Sequence, residues 1–140
     1  MSFLESITAF IPSREEVHRI WHPKILSECM QEQAADRRCI AVKMGGMGSL
    51  VCTGPQASVL HVPALDVEVL DTTGAGDSYC GGFLAGLVAG RPAVECAVMG
   101  TVSASFVVEA CGALATPKPT ASERADRFSS VLRRVTEWRT

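Results

Sequence analysis

The sequence predicts an α/β fold in which helices pack in layers against a sheet. Short runs rich in β-branched residues alternate along the chain with longer helix-like runs. Turns that contain glycine or proline separate these runs. The chain has 140 residues, of which 47% are hydrophobic and 20% are charged, and this is enough for one domain with a buried core.

Two helices are predicted in the first third of the chain. Ser13 is the expected N-cap of a helix over residues 13–21, because an acid follows it three positions later. Val17 and Ile20 are expected on one face of this helix. The run 24–36 carries apolar residues at helical spacing and is predicted to form a second amphipathic helix.

Several short strands are also predicted, because β-branched runs lie between turn signals. The "GGMG" and "GPQA" stretches are the expected turns between three of them. The predicted strands cover residues 6–12, 38–44, 49–53, 58–64 and 67–70.

The second half of the chain is predicted to be helical. A run of small and apolar residues over 76–89 forms one helix, which stops at Gly90. A second helix covers 93–110. After a proline-rich connector, an amphipathic helix over 122–138 is expected to close the chain.

The net charge excludes nucleic acid and anionic membranes as partners, and the hydropathy pattern excludes a membrane-spanning helix. A formal charge of −2 provides no basic surface that would attract nucleic acid or an anionic membrane. The most apolar stretch, 93–115, contains Glu95 and Glu109. A helix buried against a sheet is therefore expected there, and not a membrane span.

Six cysteines are scattered along the chain without a CxxC pair. The start of the sequence, "MSFLESITAF", lacks the basic region and the cleavage site of a signal peptide. We therefore expect free cysteines and a cytoplasmic location.

The stretch "DTTGAGD", residues 71–77, comes directly before a predicted helix. Its two glycines leave backbone N–H groups able to converge on an anion at the positive end of that helix. Asp77 would then lie where a carboxylate can accept a proton from an attacking hydroxyl. The alternative is structural: Asp71 or Thr73 caps the helix, and the glycines only close a turn. These residues alone support the two interpretations about equally.

The longer run "DTTGAGDSYCGGFLAGL", residues 71–87, resembles the C-terminal signature of the PfkB (ribokinase-like) carbohydrate kinases. Members of that family phosphorylate sugars and nucleosides with ATP. The resemblance implies that Asp77 is the general base. It also implies that the anion hole for the transferred phosphate is formed by the backbone amides of Gly74, Ala75, Gly76 and Asp77.

Two upstream segments resemble the nucleotide side of the same family. "AVKMGGMGSLVC" is similar to the strand–turn–strand beside the nucleotide, which implies positions lining the ATP site at Lys43, Gly45 and Gly48. "IPSREEV" resembles an Asn-x-x-Glu segment, so Glu16 would organise Mg²⁺ through water, although Ser13 replaces the usual Asn. The alternative for Glu16 is a solvated first-turn acid that only stabilises its helix.

A monovalent-cation site, for K⁺, is also implied by the resemblance. Asp71 and the backbone of Thr73 match one part of it. The stretch "SFVVEACGALATP" resembles the segment that closes over the adenine and returns to this site. Carbonyl groups would be offered there by Val107, Ala110 and Gly112.

The resemblance implies a ribokinase-like layered αβα sheet with helices on both faces. Residues 1–140 would be the C-terminal part of that kinase domain, without its N-terminal substrate and lid part. The expected activity is ATP-dependent phosphorylation of a primary alcohol on a sugar or nucleoside. The alternative is a non-catalytic nucleotide-binding or oligomerisation module that forms a homo-oligomer through an exposed sheet edge.

Overall fold

The computed structural model describes residues 7–34 and 39–139. These residues form two compact units. One contains the chain up to His61 together with the chain from Thr136 onwards, and the other is Val62–Val135. Strands and helices alternate in the described ranges, which confirms the predicted α/β class.

The first unit is built on a five-stranded sheet with the strand order β1-β2-β3-β4-β5. β1 runs parallel to β2, whereas the β2–β3 and β4–β5 pairs are antiparallel. Nearly every residue of β2 and β3 is buried, because both faces of these apolar strands are covered. The strands are β1 (Ala9–Phe10), β2 (Cys39–Lys43), β3 (Ser49–Cys52), β4 (Leu60–Val62) and β5 (Thr136–Glu137).

Helix α1 (Arg14–Trp21) starts at Ser13, as predicted. The Ser13 hydroxyl accepts a hydrogen bond from the N–H of Glu16, and the Glu16 carboxylate accepts one from the N–H of Ser13. This is a complete capping box. Val17 is buried, whereas the side chain of Ile20 is 54% exposed. The buried stripe instead runs from Val17 to Trp21, which both pack in the core.

Helix α2 (Leu26–Gln33) adds Cys29 and Met30 to this core. It is shorter at its start than the predicted run 24–36, and Ala35 and Asp36 lie outside the described residues. The core of the first unit thus lies between α1, α2 and the strands β2 and β3.

The second unit contains the helices α3 (Ala75–Val88), α4 (Ala93–Val107) and α5 (Ala121–Leu132). Glycines bring the backbones of α3 and α4 close together. A Cβ atom added at Gly82 would lie 2.6 Å from the carbonyl oxygen of Met99, and one added at Gly86 would lie 2.9 Å from Cys96 Sγ. The small residues from which α3 is predicted therefore also allow its close contact with α4.

The prediction of a strand over residues 67–70 is wrong. This segment is irregular, and the N–H of Leu70 donates to the carbonyl of Val108 after the end of α4. Helix α4 itself ends at Val107 and not at residue 110. The segment before α3 therefore pairs with a helix end and not with a strand.

The predicted helix over 122–138 is too long. Helix α5 ends at Leu132, and β5 follows it. In β5, Thr136 pairs with His61 and Glu137 pairs with Leu60. The amphipathic pattern could not reveal this pairing, because β4 lies far away in the sequence.

All six cysteines lie within the described residues, and none of them forms a disulfide. Burial raises the pKa of the Cys29, Cys52 and Cys96 thiols, so these three side chains act as small apolar core residues. In the part of the chain that the structure describes, no helix combines the length and the apolar character needed to cross a membrane.

Candidate functional site

The "DTTGAGD" stretch forms the start of α3. Gly74 is the N-cap, with φ +79° in the left-handed region. Unlike α1 and α5, which Ser13 and Thr120 cap, α3 has no hydrogen bond from a capping side chain. Among the described residues, none accepts a hydrogen bond from the N–H of Gly76 or Asp77. The positive end of α3 therefore presents donors that can bind an anion.

Asp77 lies in this exposed first turn. The next residue, Ser78, is tied into the helix pair: its N–H donates to the Gly74 carbonyl at 2.9 Å, and its hydroxyl donates to the Ser103 hydroxyl of α4 at 3.1 Å. The uncapped N–H groups of Gly76 and Asp77 and the carboxylate of Asp77 thus share one end of a helix that packs against α4.

The structural alternative, in which Asp71 or Thr73 caps α3, is wrong. The Asp71 carboxylate instead accepts two other hydrogen bonds, from the N–H of Thr73 and from the N–H of Gly112, each at 2.9 Å. These bonds, that from Thr73 first, hold the pKa of Asp71 below its usual value. The segment before α3 and the loop after α4 are therefore joined through Asp71.

Gly74 lies close to that same loop. A Cβ atom added at Gly74 would be 2.5 Å from the Cβ of Ala113, so a side chain cannot be placed there without a shift. Asp71, Thr73 and Gly112, which were predicted to belong to one cation site, are thus next to one another. The carbonyl of Val107, also predicted for this site, accepts a hydrogen bond from the N–H of Ala110 at 3.2 Å.

One polar residue of this region was missed from the sequence. A cavity of about 620 Å³ lies between α3, α4 and α5, and Thr116 and Ser78 are among its lining residues. The hydroxyl of Thr116 is buried, and no described residue forms a hydrogen bond with it. A buried hydroxyl without a partner is unusual and fits a ligand position. The sequence offers only one signal for Thr116, which is its position shortly after Gly112 in the connector.

In the first unit, Lys43 lies beside the start of α1. Its backbone N–H donates to the carbonyl of Pro12 at 2.9 Å, and Lys43 pairs with Ser13 as an isolated bridge that extends the β1–β2 pairing. The hydrogen bond from the Ser13 N–H lowers the pKa of Glu16, and the Lys43 charge lowers it further. Two residues predicted to bind the nucleotide and Mg²⁺ are therefore neighbours.

The "GGMG" stretch forms the glycine turn, defined here as residues 45–48, between β2 and β3. Its first three residues form a short 3₁₀ helix. Gly45 and Gly48 both have positive φ, at +58° and +91°. The N–H of Met44 donates to the Gly48 carbonyl at 2.8 Å and closes the turn. The predicted site residues thus form two groups, one in each unit.

A comparison with protein families matches residues 1–121 to the pfkB family carbohydrate kinases. The chain belongs to this family. The match includes the glycine turn, the start of α1 and the "DTTGAGD" stretch, which are the segments on which the predicted resemblance rests.

Individual relatives agree with the family assignment. An uncharacterized sugar kinase of Archaeoglobus fulgidus is 30% identical over 110 residues, which cover 79% of this chain and 43% of that protein. The crystal structure of the Methanocaldococcus jannaschii nucleoside kinase, an archaeal member of the ribokinase family, matches with a TM-score of 0.72 and 28% identity. The adenosine kinase of Sinorhizobium meliloti matches with a TM-score of 0.71 and 30% identity.

These structural matches confirm the predicted ribokinase-like fold. Each covers 91% of this chain, but only 41% of the nucleoside kinase and 39% of the adenosine kinase. The chain therefore spans less than half the length of the relatives that it matches.

The donor set in the described residues fits the metals that such a family implies. Within residues 7–34 and 39–139, no three His, Cys, Asp or Glu side chains cluster as a metal site. Mg²⁺ in phosphoryl-transfer sites needs only one or two carboxylates, because phosphates and water supply the other ligands. Glu16 fits that need. The hydroxyl of Thr116 and the carboxylate of Asp71 are each an oxygen donor of the kind that K⁺ binds.

Proposed function

We propose that this chain forms the nucleotide-binding and catalytic-base part of an ATP-dependent kinase that phosphorylates a primary alcohol of a sugar or nucleoside. ATP and Mg²⁺ would be bound, with K⁺ at the site beside Asp71. The ATP-lining positions would be Lys43, Gly45 and Gly48, and Glu16 would hold Mg²⁺ through water. The N-terminal substrate and lid part of such a kinase would lie outside these 140 residues.

One observation carries this proposal: the "DTTGAGD" stretch folds as an uncapped helix start with an exposed carboxylate in its first turn. Helices α2 and α4 also lack a capping side chain, and α3 differs from them in its glycine N-cap, Gly74, at φ +79°. The amides of Gly76 and Asp77 are in position to bind a transferring phosphoryl group, whose negative charge the helix end favours.

Asp77 would act as the general base. Its carboxylate would accept the proton of the attacking alcohol while the alcohol oxygen forms a bond to the γ-phosphorus. The bond from the γ-phosphorus to the bridging oxygen then breaks, and ADP and a phosphate ester result. Mg²⁺, when bound, supplies neutralisation of the phosphate charge. The protein would contribute mainly by positioning the reactants and by stabilising the charge of the transition state.

A second candidate is a non-catalytic module that binds nucleotide or forms oligomers through a sheet edge. The observation that favours it is the share of the relatives that this chain spans, which is less than half. Both candidates use the same anion-binding turn, so nucleotide binding alone does not separate them.

The test is an ATP-consumption assay of the 140-residue chain with a panel of sugars and nucleosides, in parallel with ATP binding by calorimetry. Because the substrate and lid part would lie outside these 140 residues, only weak turnover is expected, with at least one acceptor of the panel. The Asp77→Asn variant should reduce it by about 100- to 10,000-fold, as expected for the loss of a general base, and should still bind ATP. Asp66→Asn, which changes another exposed acid of the second unit, is the matched control and should leave turnover unchanged.

Three outcomes are informative. Turnover that depends on Asp77 supports the kinase. ATP binding without turnover for any acceptor supports the non-catalytic module instead. If the chain binds no ATP, the kinase and the nucleotide-binding module are both wrong, and the oligomerisation module is left to the next measurement. Gel filtration at several concentrations would test the homo-oligomer, because an exposed sheet edge would give concentration-dependent elution.

A further inference from the structure

The imidazole of His61 connects β4 with the glycine turn. Its Nε2 atom lies 2.7 Å from the carbonyl oxygen of Met47. A carbonyl oxygen only accepts hydrogen bonds, so Nε2 must carry the proton and donate it. His61 is in β4, which is not part of the β2–β3 hairpin, and it therefore holds the turn from outside the hairpin.

The other side of the imidazole contacts Trp138. The two rings meet edge to face, with centroids 5.5 Å apart. Trp138 is itself fixed, because its backbone N–H donates to the carbonyl of Val59 at 2.8 Å. The Ser58 hydroxyl also donates to the Glu137 carboxylate. The strand pair β4–β5 thus holds His61 between Trp138 and the glycine turn.

Three backbone hydrogen bonds close the glycine turn, but side chains contribute little to its shape. Gly45 and Gly46 carry no side chain, and nothing lies within 4 Å of the positions where their Cβ atoms would be. The Met47 side chain is 49% exposed. A segment with so few packed contacts opens easily unless hydrogen bonds hold it. The bond from His61 is therefore expected to affect the shape of the turn strongly.

We infer that His61 is a positioning residue for nucleotide binding and that Trp138 and β5 hold it in place. This inference rests on the proposed function, in which Gly45 and Gly48 line the ATP site. It goes further, because it makes ATP affinity depend on residues near the end of the chain. Trp138 and β5 lie outside residues 1–121, the part that matches the family.

Two substitutions of His61 separate the hydrogen bond from ring packing. His61→Phe keeps a ring against Trp138 but removes the donor, and His61→Gln places an N–H donor near the position of Nε2. We expect His61→Phe to weaken ATP binding about 3- to 10-fold by calorimetry, the size of one lost hydrogen bond. His61→Gln should stay within about 2-fold of the native chain. His18→Phe, at an exposed position of α1, is the control for a histidine-to-phenylalanine change.

Amide hydrogen exchange provides a readout that does not depend on ATP. In His61→Phe, the amides of Met47 and Gly48 should exchange faster, while the amides of β2 keep their native rates. His61→Gln should restore slow exchange in the turn. Trp138→Ala should increase exchange in the turn in the same direction as His61→Phe, because the imidazole loses the ring that it packs against.

The failure of this inference can be distinguished from that of the proposed function. If the native chain binds no ATP, the proposed function fails and so does the nucleotide role of His61. If the native chain binds ATP and His61→Phe binds it equally well, the inference alone is overturned. It is also overturned if His61→Gln is as weak as His61→Phe, since ring packing and not the hydrogen bond would then be responsible.

Discussion

The carboxylate of Asp71 accepts a hydrogen bond from the backbone N–H of Gly112, although 41 positions separate the two residues. Its other oxygen accepts from the N–H of Thr73. One side chain thus joins the segment that enters α3 to the loop that leaves α4. The N-terminal turn of α3 keeps its position through this bond as well as through the contact between α3 and α4.

The stability that Asp71 provides should depend on pH. Its folded-state pKa is depressed below the ordinary value of 3.8, so its contribution is fully present above that value and is lost as the pH falls through the folded pKa. Asp71→Asn should therefore unfold at lower urea concentration than the native chain near neutral pH. This difference should shrink toward about pH 2. A difference that stays constant between about pH 2 and about pH 6 would contradict the role of the charge.

Gly74→Ala should destabilise the chain more than Gly90→Ala. Both glycines have positive φ, at +79° and +69°, so each substitution carries the strain of a left-handed alanine, about 1 kcal/mol. Only at Gly74 does the new Cβ meet another atom, that of Ala113 at 2.5 Å. We expect a further loss of about 1–3 kcal/mol from this overlap. Urea denaturation of both variants measures the difference, and equal losses would contradict the close approach at Gly74.

The two interpretations of Glu16 can be separated by Glu16→Gln. Glutamine also completes a capping box, so the variant should unfold at nearly the same temperature as the native chain. If Glu16 holds Mg²⁺, ATP binding in the presence of Mg²⁺ should weaken, while ATP binding without Mg²⁺ should not change. The interpretation as a simple cap is supported if neither affinity changes. Ser13→Ala, which removes the cap itself, should cost about 1 kcal/mol and serves as the control for stability.

Arg127→Lys should destabilise the second unit although it keeps the charge. The Arg127 guanidinium lies 3.9 Å from the centroid of the Phe106 ring, donates to the Ser105 hydroxyl at 2.8 Å and pairs with Glu109 at 2.7 Å. An ammonium group cannot make all three contacts, and we expect a loss of about 1–2 kcal/mol. The comparison is with Arg133→Lys at the exposed C-cap of α5, which should change the unfolding free energy by less than about 0.5 kcal/mol. Equal effects would show that the Arg127 network contributes little.

Local signals in the sequence were sufficient for much of the fold. Ser13 and Glu16 have the spacing of a capping box, and the structure has that box. The run of small residues before Gly90 predicts α3, which ends there. These features depend on residues within a few positions of one another, so a pattern in the sequence contains them completely.

The errors occur where distant residues decide the structure. The segment 67–70 has the composition of a strand, but the N–H of Leu70 donates to the carbonyl of Val108 after α4. Thr136 and Glu137 continue a helical pattern, but pairing with β4 makes them a strand. The residues of the candidate site divide in the same way, into those with local signals and those whose partners are distant in the sequence. The motif identified the turn at Gly74, whereas the bond from Asp71 to Gly112 and the orphaned hydroxyl of Thr116 depend on tertiary contacts.

The pairing of Leu60 with Glu137 also has a consequence for how the chain folds. The first unit is discontinuous in sequence, because all of Val62–Val135 lies between the residues that form its last strand pair. The β2–β3 hairpin and the α3–α4 pair involve nearby residues and can form early. Joining β4 to β5 requires closure of a long loop. Such contacts form slowly, because the chain loses conformational entropy before it gains the stabilising contacts. The sheet of the first unit should therefore be completed in a late kinetic step.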